Sequence, residues 1–246
     1  MKKLWKFMTA ALCCLLVVTS TACNKDDNSN STSEECTMTL EDLNKMLNDK
    51  VTMDMNKANH IEIIPFNHVN GPKEEWKFYA LVNFEYDMET YVKYQVTYLS
   101  CTCRSPNVNY WQTAYMELTK PESGVKNDVV LQTLSFDKDV QDEDLVEGQH
   151  NYIAGFWGDS SPIYSGNDIV ATYDKVSNGE GGYYPSIKYD FIPKLVGKTK
   201  AQIDPWVYYT DMNDSSLSVF SGASVSTNNI IRIVQATMAY HADRYL

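Results

Sequence analysis

The 246-residue sequence predicts an α+β fold. We expect an antiparallel, strand-rich sheet with a few packed helices, the last of them a C-terminal amphipathic helix. Three observations predict it. Between residues 60 and 137, short runs rich in Val, Ile, Tyr and Phe alternate apolar with polar positions and are broken by turn residues. After residue 227 the apolar period changes to that of an α-helix. The chain also carries 17 Tyr and 5 Trp, residue types that suit half-buried pleated surfaces.

Taken in order, the first element is a helix over 39–49. Thr39 is its cap, Glu41 and Asp42 fill its first turn, and Leu40, Leu43, Met46 and Leu47 recur at helical spacing. Strands follow over 60–66, 77–86, 90–103, 110–119 and 128–137, with Glu122–Gly124 as turn punctuation, so a five-strand meander is expected. The acidic run 137–148 has Asp142 and Gly148 where a calcium loop needs Gly and Glu, and it reads as a solvated connector. Residues 151–168 read as an aromatic loop and 176–185 as a glycine-rich turn. Gly179, Gly181 and Gly182 do not lie between a strand and a helix at dinucleotide-loop spacing. Over 187–207 we expect a helix ending at Gly197 and then a turn capped by Thr199. Last, Ile230, Ile233, Val234, Thr237, Met238 and His241 share one stripe, which predicts a helix over 227–243 with Ser226 or Thr227 as N-cap.

Residues 1–22 read as a targeting segment. Lys2, Lys3 and Lys6 precede a short apolar run, and Ser20, Thr21 and Ala22 lead into Cys23. The run is shorter than the ~20 residues a spanning helix needs. The junction resembles a bacterial lipobox, with Ser20 where that pattern usually has Leu. The resemblance implies cleavage before Cys23 and a diacylglyceryl anchor on its sulfur, hence a chain held at the cell membrane or cell surface, facing outside the cytoplasm. Residues 23–37 are too polar to fold and read as a lipidated tether. The start of that tether, "CNKDD", resembles the Lys-Asp-Asp surface-export tag of Bacteroidota lipoproteins. Residues 38–246 form the expected globular domain. Loss of residues 1–22 removes three lysines and no acid, which takes the net charge from −11 to −14. Such a balance excludes nucleic acid as a main partner and leaves the lipid anchor as the membrane contact. Beside Cys23, the cysteines Cys36, Cys101 and Cys103 are odd in number, which suggests one disulfide and one free thiol outside the cell. "CTC" lacks a second Cys/His pair for a metal.

The functional signal lies in "SGASVST", Ser221–Thr227. All of it but Val225 is Gly, Ala or a small hydroxyl residue, and it runs straight into the C-terminal helix. Gly222 allows a sharp turn. Ser224 then sits just before a helix N-terminus, where free amides and the positive end of the dipole favour a phosphate. A capping turn and nothing more is the plain alternative. The stretch resembles the SGAT-x-(S/T)-(S/T) motif of the FMN-binding domain family, which includes flavin subunits of sodium-pumping and Rnf-type redox complexes and flavin lipoproteins of extracellular electron transfer. In that family a flavin transferase joins FMN by a phosphoester to the motif Thr. Ser221, Gly222 and Ala223 match, Ser224 stands at the attachment position, and Ser226 and Thr227 match the trailing hydroxyls. Ser218 replaces the family's Asp three residues before the motif, and Asp214 lies further upstream. The resemblance covers about 210–243. It implies a lipid-anchored extracytosolic flavoprotein with FMN on Ser224, passing electrons from a membrane redox donor to an extracellular acceptor.

Little else carries chemistry. "GASVS" fails the nucleophile-elbow pattern because Ser226 replaces its last Gly. His60, His68, His150 and His241 are scattered, and His241 rides the apolar stripe as a partly buried helix residue. The flavin would do the electron chemistry, without a substrate of the protein's own. Arg104 could offset charge near it or make a surface ion pair. The alternative is a cofactor-free surface lipoprotein that binds a ligand or partner through Tyr/Trp-rich loops such as "FWGDSSPIY", residues 156–164.

Overall fold

The computed structural model describes Thr39, Glu41 and residues 62–69, 75–105, 108–136, 162–165 and 168–246. The targeting segment, Cys23, the tether, most of the helix expected over 39–49, the connector 137–148 and residues 156–161 of the aromatic loop lie outside the described residues.

The meander is present. Strands β1 (Glu62–Val69), β2 (Glu75–Asp87), β3 (Tyr91–Ser105), β4 (Val108–Thr119) and β5 (Leu131–Phe136) form one sheet in chain order. Every neighbouring pair is antiparallel. Residues directly opposite each other share a face, so the register defines the core. Phe66 faces Phe78, Val82 faces Val96, Val96 faces Ala114, and Ala114 faces Phe136. All of these are buried.

One irregularity redirects a side chain. The β2–β3 register shifts between Val82 and Phe84. Strict alternation would carry Phe84 into the core with Val82. After the shift Phe84 faces Gln95 on the outer side and is 48% exposed, while Glu85 faces Tyr94 on the core side. A bulge re-aims residues in this way, and here it delivers a carboxylate to the helix that covers the sheet.

That helix is α3 (Ser224–Tyr245), laid across β1 and β3. Before it come the hairpin β6 (Pro162–Ser165) and β7 (Asp168–Thr172), a π-turn over Ile187–Phe191, and the short helices α1 (Ile192–Leu195) and α2 (Lys200–Ile203). The expected helix over 187–207 is thus split in two. Gly197 ends the first piece at φ 84°, a left-handed conformation that glycine adopts without strain. Thr199 and Gln202 form a reciprocal capping box for the second. The region expected as loop over 151–168 contributes β6, a correction to the sequence reading. Its alternation is too brief to stand out, and among the described residues its strand pairs only with β7.

All six stripe residues of α3 are buried, His241 completely. The sequence pattern predicts one buried face, yet every residue from Ser226 to Val234 is buried. The reason is the chain from 203 to 223, which returns alongside the helix. Gln235 Nε2 donates to the carbonyls of Ile203 (2.9 Å) and Trp206 (2.8 Å), and Tyr209 N donates to Asn228 Oδ1 (2.7 Å). The α+β class holds, with the C-terminal helix longer than expected.

Candidate functional site

The motif is the junction between two helical segments. A 3₁₀ run over Ser215–Ala223 leads without a break into α3 at Ser224. Asp214 starts the run, its Oδ1 accepting from Ser216 N (2.9 Å) and Ser216 Oγ (2.6 Å). Lys194 donates to Oδ2 at 2.7 Å. That bond and those from Ser216 hold the Asp214 carboxyl down at about 2. Asp214, the nearest upstream acid, is therefore engaged as a cap.

Two expectations are corrected here. Ser226 and Thr227 are not the N-cap: the helix begins at Ser224, and Ala223 occupies the cap position without a side-chain bond. Thr227 Oγ1 instead donates back to the carbonyls of Ala223 (3.2 Å) and Ser224 (3.1 Å), a local bond that hydroxyl residues make within a helix. The cluster reads as a cap only if the helix starts where the apolar stripe starts, and Asp214 has already begun the helical turns upstream. Gly222 does not make a sharp turn, since its φ is not positive. Its lack of a side chain serves packing: a Cβ there would lie 2.6 Å from Val170 Cγ1 and 2.7 Å from Val170 Cβ, on β7.

The junction also alters the electrostatics. The i→i−3 bonds of 3₁₀ turns use amides that a bare helix end would leave open. The dipole of the 22-residue helix remains, but the amide cradle expected around Ser224 is reduced. The hydroxyl itself is available. Ser224 is half-buried, Ser221 and Gly222 beside it are exposed, and Ala223 is buried. Ser224 Oγ has no hydrogen-bond partner among the described residues. Asn228 lies one turn on, on the same helix face, and its bond to Tyr209 N brings Tyr208 and Tyr209, both half-buried, alongside. The Ser224 hydroxyl is thus placed where a group could be linked to it, and the backbone at Tyr209 runs alongside the helix one turn on.

Two further polar ties were not foreseen. Asn229, fully buried, accepts from Val69 N (2.7 Å) and donates to Val69 O (2.8 Å) and Ser100 O (2.7 Å). It completes the backbone bonding of two strands from within a helix. Adjacent Asn228 and Asn229 are poor helix formers at the start of an apolar stripe, and that mismatch was the available signal. At the other end Glu85 accepts from Tyr240 Oη (2.9 Å), Arg244 Nε (2.9 Å) and Tyr245 Oη. This tie depends on the bulge and left no signal in the sequence.

The described histidines are structural. His68 stacks on Phe78 at 4.6 Å, and burial pushes its pKa down to about 3. Tyr94 Oη donates to His241 Nδ1 (2.9 Å), and His241 Nε2 donates to the Thr119 carbonyl (3.0 Å), an arrangement that fits the neutral ring; burial lowers this pKa too. Cys101, Cys103 and Arg104 fall within β3, and Cys36 lies outside the described residues. Among the described residues no group of three His, Cys, Asp or Glu is placed to hold a metal, and no helix is long and apolar enough to cross a membrane. No protein-family model, curated protein or solved structure matches the chain.

Proposed function

We propose that the chain is a lipid-anchored extracytosolic flavoprotein whose FMN is esterified to Ser224. One observation carries the reading: the motif's half-buried serine hydroxyl has no hydrogen-bond partner among the described residues, on a helix that is tied down on both sides. The chain's own part is to offer that oxygen to a flavin transferase and to hold it still. Flavin supplies electron transfer once bound. The donor is a redox partner at the membrane and the acceptor lies outside the cell. Cys23 is the lipid acceptor in this reading. Co-expression with a flavin transferase tests it: wild-type protein purifies yellow, and Ser224→Ala purifies colourless. A colourless wild type beside an active transferase refutes it.

A second reading, a cofactor-free lipoprotein that binds a partner, is favoured by the outer sheet face. There Phe84 and Tyr86 are exposed, with ring planes 3° apart and centroids 6.2 Å apart. Protein that stays colourless yet loses a bound partner in Phe84→Ser/Tyr86→Ser would select it.

A further inference from the structure

The two described histidines are buried at the contact of one helix with the sheet, His68 beneath α3 near its start and His241 on α3 near its end. His68 on β1 is walled by Phe66, Trp76 and Phe78 and covered by α3, where Asn229 Nδ2 stands 3.4 Å from its Nε2. His241 lies twelve residues further along α3, about 18 Å at helical rise, wedged between Tyr94 on β3 and the carbonyl that ends β4. Neither has room for a second proton. Both His241 nitrogens are engaged, and a proton on Nδ1 would turn Tyr94 from donor to acceptor, so that its hydroxyl proton loses the acceptor it now has. His68 Nδ1 is buried with no partner.

The charged surroundings do not offset this. His241 is faced by Glu85 and Asp87 from β2, by Lys120 from the end of β4, and by Tyr94 from β3; Tyr240, Arg244 and Tyr245 are its neighbours on α3. Glu85 favours a charged ring, but it already serves two hydroxyls and a guanidinium. Asp87 is bound to Lys120. Around His68 the contacts are aromatic rings, the Asn229 amide and the Ser100 carbonyl on β3; that carbonyl favours a proton on the ring, but burial outweighs it and it already accepts from Asn229. The ion pair on the α3 contact with the start of β2, Arg232 with Glu75, is closed on itself at 2.5 Å.

We propose that α3 is an acid-operated clamp, lifting from the sheet in mild acid while β1 to β5 remain paired. Lifting this one helix hydrates both imidazoles, whereas the strand-to-strand bonds contain no such group. The opened form takes up protons that the closed form refuses. Each imidazole therefore favours opening by up to about tenfold per pH unit once the pH is below its free value of about 6.5, and two together by up to about a hundredfold. Local opening of a single element is an ordinary mode for folded domains. The inference is independent of any cofactor.

Hydrogen exchange on the full chain at pH 7 and pH 4.5, expressed as protection factors so that intrinsic rates cancel, tests it. Protection across residues 224–245 should fall by more than tenfold while residues 92–99 and 112–118 keep theirs. Unchanged protection in α3, or an equal fall in helix and strands, overturns the clamp. His241→Gln, neutral at both pH values, should roughly halve the logarithmic slope on α3. A folded His241→Gln with the wild-type slope removes His241 from the device, and if that variant does not fold the wild-type comparison still decides.

Discussion

The two ends of α3 are held in different ways. At Asn228 and Asn229 the ties are neutral amide bonds to backbone groups, those of Asn229 to two strands and fully buried, that of Asn228 to the returning chain and partly buried. At Tyr240–Tyr245 the nearly buried carboxylate of Glu85 takes three bonds, from the half-exposed Arg244 and from Tyr240 and Tyr245, beside the neutral bonds of His241 to Tyr94 and to the Thr119 carbonyl. Buried neutral bonds leave costly orphans when one partner is removed, whereas exposed charged bonds are screened and contribute less. The end that carries Ser224 therefore rests on the neutral bonds of Asn228 and Asn229, while the far end adds a charged pair whose outer partner, Arg244, is open to screening.

Asn229→Leu should break this contrast most sharply. It strands three buried backbone groups, and a loss of about 3–5 kcal/mol is expected, at roughly 1–3 kcal/mol per orphan with partial relief by relaxation; urea unfolding measures it. Next is Gly222→Ala, where the new methyl meets Val170. Overpacking of this kind costs about 1–3 kcal/mol. Val170→Ala should recover part of it in a double-mutant cycle, and a purely additive pair would mean that the contact is not the cause. Glu85→Gln keeps only one of the two acceptor oxygens, so either Tyr240 or the pair Tyr245 and Arg244 loses its acceptor, and the charge toward the half-exposed Arg244 is lost. About 1–2 kcal/mol is expected, of which only the Arg244 share is reduced by salt. Ser224→Ala should change stability least, within about 0.5 kcal/mol, because no bond is lost.

The pH dependence sharpens the same comparison. His68 has a folded pKa of about 3 against an ordinary value of 6.5. Its contribution is complete above about pH 6.5 and is lost progressively as the pH falls toward 3, since the unfolded chain then binds the proton that the folded chain excludes. His241 acts in the same direction. Equilibrium unfolding in urea at pH 7 and pH 5 should show lower stability at pH 5; equal midpoints would contradict both shifts.

The strands were legible because one buried face imposes a period of two. The last helix was legible because Ile230 to His241 keep a stripe. The bulge at Asn83 was not, since nothing in "ALVNFEY" marks which residue is left over, and the role of Glu85 went with it. The all-round burial of 226–234 was hidden for another reason. Asn228, Asn229 and Arg232 look solvent-facing, and only the fold of a distant segment and of two strands supplies their partners. The motif was found as letters, but its geometry was misplaced: the hydroxyl cluster implied a cap, while the helical turns begin at Asp214.

The most direct measurement is peptide mass spectrometry of wild-type protein made beside an active flavin transferase. Trypsin releases residues 201–232 as one fragment, which contains every hydroxyl of the motif. The account predicts that this fragment gains one FMN less one water, with the gain localised to Ser224 and absent from Ser224→Ala. An unmodified fragment, or a gain that stays when Ser224 is alanine, contradicts it.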